Sequence, residues 1–261
     1  MCQSGTHNPH HLINFMIVLS HQQGWKIITQ RSHGLLAGML AYEYDIDLPV
    51  NILLPTLVAI AEHDDGVMEM LAPQNLTDAG APRSFVVADC NTKTDINPML
   101  SLMEIAKSKS RLNGLLTSLH IKFLYDSEKR NTDKVLDKFL KDLEKDRIRV
   151  LKDLQFDKAF EDRLSRFLEW SDAFSLLICL GKIQHEGKKM DISQNPDDIM
   201  NTVHYKPNKE ICVEPWPFKS KSFKVFYEYK IIKQLKFKSI EEFNDVYKRA
   251  KIKQDIYTLS K

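Results

Sequence analysis

From Leu53 to Gly66 the chain reads Leu-Leu-Pro-Thr-Leu-Val-Ala-Ile-Ala-Glu-His-Asp-Asp-Gly, an apolar run that stops abruptly in one imidazole and three carboxylates. Pro55 suits a first helical turn, where its missing N–H is no loss. Gly66 suits the positive φ that closes a helix. Leu53 or Leu54, Leu57, Ile60 or Ala61, and then Asp64 fall on neighbouring helical rows, so the buried face runs into acidic and imidazole groups. A helix that carries its charges to one end of its buried face is a platform for metal ligands.

The remaining chain is read around that platform. Its 261 residues are 43% hydrophobic and 28% charged, enough for one large domain or two small ones with a sizeable core. With 37 basic and 35 acidic side chains, there is no electrostatic case for nucleic acid or a membrane surface as partner. Cys2, Cys90, Cys179 and Cys212 are widely spaced with no C-x-x-C pair, which points to reduced thiols rather than a disulfide or zinc-ribbon framework. The first residues are polar and lack a secretory pattern, and no stretch has the apolar length of a membrane span. The expectation is a cytoplasmic protein.

In chain order, residues 1–12 read as a disordered tail, with adventitious metal binding by His7, His10 and His11 the lesser alternative. Phe15–Leu19 and Trp25–Gln30, joined through Gly24, read as a β-hairpin. Ser32 offers an N-cap for a helix from His33 to about Tyr44, placing His33 in the first turn of a face with Leu36, Leu40 and Tyr44. Residues 67–98, punctuated by Ala72-Pro73, Ala79-Gly80-Ala81-Pro82 and Asp95-Ile96-Asn97-Pro98, form a long irregular segment and a candidate lid. Met99 to about Tyr125 predicts one helix, or two with a break near Gly114, and His120 interrupts the apolar row Leu112, Leu116, Leu124. Asn131–Leu154 predicts an amphipathic helix with a solvated charged face. In the helix from Asp157 to Leu180, Asp172 falls in the row Leu168, Leu176, Leu180. A carboxylate there must be neutralised, hydrogen-bonded or bound to a cation, or it costs several kcal/mol. Alternatively, Asp172 caps a neighbouring helix or pairs with Arg166, or with Lys182 at the helix end. After about residue 208 the period becomes two. Phe223, Val225, Tyr227, Tyr229 and Ile231 mark a strand, Ile211–Val213 a shorter one, and Ser239-Ile240-Glu241-Glu242 a capping box for a short helix to about Ala250.

His33, His63, Asp64, His120 and Asp172 thus stand where helix faces should be apolar, or at their ends. Imidazole and carboxylate ligands suit Mn, Fe, Zn or Mg, ions that acidify bound water. The order His33, His63-Asp64, Asp172 on successive helices resembles the HD superfamily of metal-dependent phosphohydrolases. By that resemblance His33 matches the first histidine, His63 and Asp64 the paired signature, and Asp172 the late aspartate, with His120 similar to an extra mid-chain histidine of some members. The wider chain, over most of residues 15–235, resembles an uncharacterised, mainly bacterial family with an HD-like signature. The shared features are Ile27-Ile28-Thr29-Gln30-x-x-His33, Ala61-Glu62-His63-Asp64-Asp65-Gly66, Pro82-x-x-Phe85, Ser118-Leu119-His120 and Pro215-Trp216-Pro217-Phe218. Two departures stand out. Asp65-Gly66-Val67 replaces the apolar-Gly-Lys that follows the pair in many HD enzymes, and Val67 stands where the HD-like family has a tryptophan.

The expected architecture is a mainly α (α+β) fold: an HD-like helical core over 13–205 with the N-terminal hairpin, and a small β-rich subdomain over 206–261 packed on it. The resemblance implies a hydrolase of phosphoester bonds, in a nucleotide or another small phosphorylated molecule. His33, His63, Asp64 and Asp172 would ligate the ion, and His120 would orient substrate or complete the ligand set. Asp65 is a general base, a group orienting a ligand imidazole, or a solvated cap. Arg31, Arg83, Lys107 and Arg111 are candidate phosphate holders or plain surface charges. The alternatives are a non-enzymatic metal- or ligand-binding module on the same frame, and a structural protein whose polar residues satisfy one another.

Overall fold

The computed structural model describes residues 16–65, 75–84, 96–125, 133–185 and 187–261. The chain order is β1 (Ile17–His21), β2 (Gly24–Ile28), α1 (Gln30–Glu43), α2 (Val50–Ala61), α3 (Asn97–Lys109), α4 (Arg111–Tyr125), α5 (Lys134–Leu154), α6 (Lys158–Cys179), β3 (Met190–Gln194), β4 (Met200–Tyr205), β5 (Ile211–Glu214), β6 (Ser222–Ile232), α7 (Ile240–Arg249) and β7 (Ile252–Ser260). All seven strands join one sheet in the order β1-β2-β6-β7-β5-β4-β3. Its pairs are antiparallel except β5 with β7, which run parallel.

This corrects the expected architecture. The fold is α+β, a layer of helices on a seven-stranded, curled mixed sheet, and not a helical core with a small β appendage. The N-terminal hairpin is an integral edge of that sheet, because β2 pairs with β6 from Trp25↔Ile232 to Ile27↔Lys230. β4 and β5 pair across position 205/206, so the sheet continues through the expected boundary there. The cause is long-range pairing: β7 reads Ile-Lys-Gln-Asp-Ile-Tyr-Thr-Leu-Ser, too polar to announce a strand, yet β6 and β5 flank it. Gly24, with φ +129°, is required where β2 turns in beside β6, since a Cβ there would stand 2.2 Å from the Ile232 carbonyl oxygen.

Helix starts and stops follow local chemistry, with small corrections. Thr29, not Ser32, caps α1, its hydroxyl accepting from the Ser32 N–H. The Ser32 hydroxyl instead donates to the Glu228 carbonyl and accepts from the Glu228 N–H, tying α1 to β6. α2 starts at Val50, which puts Pro55 inside the helix, and it ends at Ala61, ahead of Gly66. Gly66, residues 1–12 and most of the candidate lid lie outside the described residues; the lid's middle part, 75–84, is pinned where the Phe237 N–H donates to the Gly80 carbonyl. The break between α3 and α4 falls at Ser110, whose extended backbone and bonds to Asn113 restart the helix, and not at Gly114. Asp133 and Asp157 cap α5 and α6. The charged face of α5 is not wholly solvated: buried Arg147 faces buried Glu161 of α6, Nε to Oε1 3.2 Å.

The main core lies between the helices and the sheet. Tyr44, Phe167, Trp170, Phe174 and Phe218 pack ring on ring there, with Leu36, Leu40, Ile60, Leu116 and Val225 around them. α1 sits at the middle, against α2, α6 and β6. It comes close to α2 because it carries glycine where the two meet. A Cβ at Gly34 would stand 2.4 Å from the Ala61 carbonyl oxygen, and one at Gly38 3.0 Å from the Ala61 Cβ. That contact sets the distance between His33, beside Gly34, and His63, two residues past Ala61. Gly34→Ala is therefore expected to destabilise the fold by about 1–3 kcal/mol, because overpacking against backbone outweighs the roughly 1 kcal/mol that alanine gains in helix propensity. A urea midpoint equal to or above the wild-type value would refute this.

Candidate metal centre

Helix α2 ends in a turn at Glu62–Asp65, where the Asp65 N–H donates to the Glu62 carbonyl. His63 and Asp64 therefore project from a turn and not from the helix surface. His63 Nδ1 folds back to the Ile60 carbonyl, one of the last acceptors of α2, at 2.7 Å. A carbonyl only accepts, so Nδ1 carries the proton and the Nε2 lone pair faces inward. His33, in the first turn of α1, is held the same way. The Ser175 hydroxyl donates to the Asp172 carbonyl at 2.8 Å, leaving its lone pair to accept from His33 Nδ1, also at 2.8 Å. The His33 Nε2 lone pair then faces inward as well.

Those two lone pairs meet at 3.3 Å. Asp172 Oδ1, from α6, completes a triangle, 3.0 Å from His33 Nε2 and 3.3 Å from His63 Nε2. Asp64 Oδ2 lies 3.3 Å from His63 Nε2 and 3.9 Å from His33 Nε2. Four acceptor atoms from three elements thus converge. Two donors bound at about 2.1 Å to one ion sit roughly 3.0 Å apart at octahedral angles and roughly 3.4 Å at tetrahedral ones, and the triangle spans that range. Without a cation, the arrangement sets acceptors against each other in a buried place. His33 is 0% exposed, His63 1% and Asp172 9%. The residues fit a divalent ion.

The remaining member, His120 of α4, is 2% exposed. Its Nε2 lies 3.5 Å from Asp64 Oδ1, and its Nδ1 has no hydrogen-bond partner among the described residues. Asp64 thus turns one oxygen to His33 and His63 and the other to His120. Asp65 sits at the rim, 3.6 Å from the Arg31 guanidinium, and burial raises its carboxyl pKa against the pull of Arg31. Of the candidate phosphate holders, Lys107 pairs with Asp146 at 3.0 Å, and Arg111 opens α4 with an exposed side chain. Arg83 lies in the described piece of the long irregular segment.

Electrostatics follow the geometry. Burial opposes a charged His63, yet the Asp64 and Asp172 carboxylates outweigh it and raise the ring's pKa well above its ordinary value. Burial likewise opposes ionised Asp64 and Asp172, and the neighbouring imidazoles overcome it, holding both well below the usual carboxylate range.

Two further residues, Ser175 and Glu169, gave no sequence signal strong enough to single them out, and a third, Arg166, stood out only as a partner for Asp172. Ser175, three residues after Asp172, fixes the His33 tautomer. Glu169, three residues before it, accepts from the Ser165 hydroxyl at 2.7 Å, and burial raises its carboxyl pKa although His120 and Arg166 oppose this. Arg166 has a buried Nε with no hydrogen-bond partner among the described residues. The i±3 spacing from Asp172 is the one signal that could have found Ser175 and Glu169.

The family described as "Protein of unknown function (DUF3891)" matches residues 16–234, which takes in every site residue named above. The chain belongs to this family. No curated protein and no solved structure matches it. Among the described residues, no helix is long and apolar enough to cross a membrane.

Two outcomes are expected. Ser175→Ala should weaken metal binding by about 10- to 100-fold with the fold retained, because His33 loses the group that orients it; unchanged affinity by calorimetry would exclude that role. Protons and metal compete for the same Nε2 lone pairs, and His63 holds its proton to higher pH than a free imidazole. Affinity should therefore fall with decreasing pH, the loss setting in above the ordinary histidine value of about 6.5. A flat profile from about pH 8 to about pH 6 would contradict this ligand set.

Proposed function

We propose that this family member is a divalent-metal-dependent hydrolase of phosphoester bonds of HD type, acting on a small phosphorylated molecule such as a nucleotide. The observation that carries the reading is the convergence of His33 Nε2, His63 Nε2, Asp64 and Asp172 on one point, with both imidazole tautomers set by outward partners. His33, His63, Asp64 and Asp172 would hold the ion, Mn, Fe, Zn or Mg. When bound, such an ion supplies an acidified water and a Lewis-acid partner for a phosphoryl oxygen. His120, beside the outer oxygen of Asp64, is suited to orient substrate or to complete the ligand set. Arg166, whose Nε has no hydrogen-bond partner among the described residues and which lies near Glu169, offers the positive charge a phosphate needs. Asp65, its carboxyl pKa raised by burial, is suited to take a proton from water.

The closed character of the centre favours a second reading, a non-enzymatic metal- or ligand-binding module. Among the described residues its histidines are buried and its carboxylates are part-exposed, the Asp64 and Asp172 side chains at 17% and 12%. Structural metal sites are closed, whereas catalytic ones keep a position open.

Metal analysis and a phosphatase screen separate the two. The wild type should hold a stoichiometric divalent ion and hydrolyse at least one member of a phosphomonoester and phosphodiester panel supplemented with Mn, Fe, Zn or Mg. His63→Ala and Asp172→Ala should each hold one equivalent of the ion less than the wild type and lose the hydrolysis. A metal-loaded wild type inert across the panel would favour the binding module. Full metal retention in both variants would end the shared-ligand proposal altogether.

A further inference from the structure

A second group of ligating side chains lies in the sheet, on β4 and β5. The antiparallel register sets His204 opposite Cys212 and Thr202 opposite Glu214. Because paired residues project to the same side and side chains alternate along a strand, His204, Cys212 and Glu214 share one face while Val203, Ile211 and Val213 turn into the core. A ring nitrogen, the thiol sulfur and a carboxylate oxygen from the three lie within 4.8 Å of one another. His204 Nδ1 is buried and has no hydrogen-bond partner among the described residues. Cys212 is 7% exposed and is not in a disulfide. Glu214 is ion-paired with Lys189.

We propose that His204, Cys212 and Glu214 form a second metal site, of zinc type, in the β4–β5 ladder and separate from the centre between α1, α2 and α6. The donor set differs in kind from the first: one nitrogen, one sulfur and one oxygen, which select a borderline ion such as Zn over Mg or Mn. The two strands hold His204 and Cys212 in place before any ion arrives. Glu214 completes the set by leaving Lys189, an exchange made easy because both partners of that pair are about half exposed. As the ion binds, the sulfur–hydrogen bond of Cys212 gives way to a sulfur–metal bond and the proton passes to solvent. The thiolate and the Glu214 carboxylate together balance the ion's two positive charges. A fourth position remains for water.

Sulfur-specific readouts test this site independently of the first, which contains no sulfur. In the full chain loaded with zinc and freed of excess, Cys212→Ser should contain one equivalent less than the wild type. Cobalt added to His63→Ala should produce thiolate-to-metal charge-transfer absorption, and the same absorption should be absent from the His63→Ala/Cys212→Ser and His63→Ala/His204→Ala double variants. In the unmutated protein, zinc should protect the Cys212 peptide from alkylation, read by mass spectrometry. Equal zinc in wild type and Cys212→Ser, no thiolate band with cobalt, or equal alkylation with and without zinc would overturn the proposal.

Discussion

Two imidazole lone pairs and two carboxylates aimed at one buried point are the interaction on which the organisation of this protein turns. Acceptors do not gather in a low-dielectric interior without a positive charge among them. The ligand geometry suits a divalent ion as that positive charge. The outward hydrogen bonds matter as much as the inward ones. The Ile60 carbonyl and the Ser175 hydroxyl hold each ring by Nδ1 and thereby commit both Nε2 atoms to the centre.

The scaffold delivers those groups through close packing. Gly34 and Gly38 let α1 lie against the end of α2. The turn after Ala61 then places His63 beside His33, and α6, packed along α1, brings Asp172 from more than a hundred residues away. α1 is in turn fixed to the sheet by Ser32 on β6. A centre made from two helices and the turn after a third is thus anchored to a sheet whose strands come from both ends of the chain. The His204–Cys212 pair belongs to that sheet and owes its proximity to strand register alone.

Much of this was legible locally. The 3.6-residue period marked five of the helices, and the capping box at Ser239 marked the start of α7. The helical rows put Asp172 and His120 inside, where they are found. The sheet was not legible, for a physical reason: β3, β4 and β7 are short or polar, and their strand character comes from neighbours distant in sequence. Pattern reasoning weighs local periodicity, and a chain rich in amphipathic helices biases it toward a helical core. The cap of α1, expected at Ser32, is Thr29, and the break expected near Gly114 falls at Ser110, because helix ends are set by local hydrogen bonds that periodicity does not resolve.

By itself the sequence determined which residues are anomalous: a histidine and aspartates at the end of an apolar helix, and single polar groups in apolar rows elsewhere. Burial in a helix follows from periodicity, and periodicity is written in the chain. Only the tertiary structure decided which anomalies meet. It joined His33, His63, Asp64 and Asp172 at one point, set His120 against the far oxygen of Asp64, recruited Ser175, and put His204 across a ladder from Cys212. Those distances depend on helix crossings and strand register, which arise from packing between segments far apart in sequence and have no local signature.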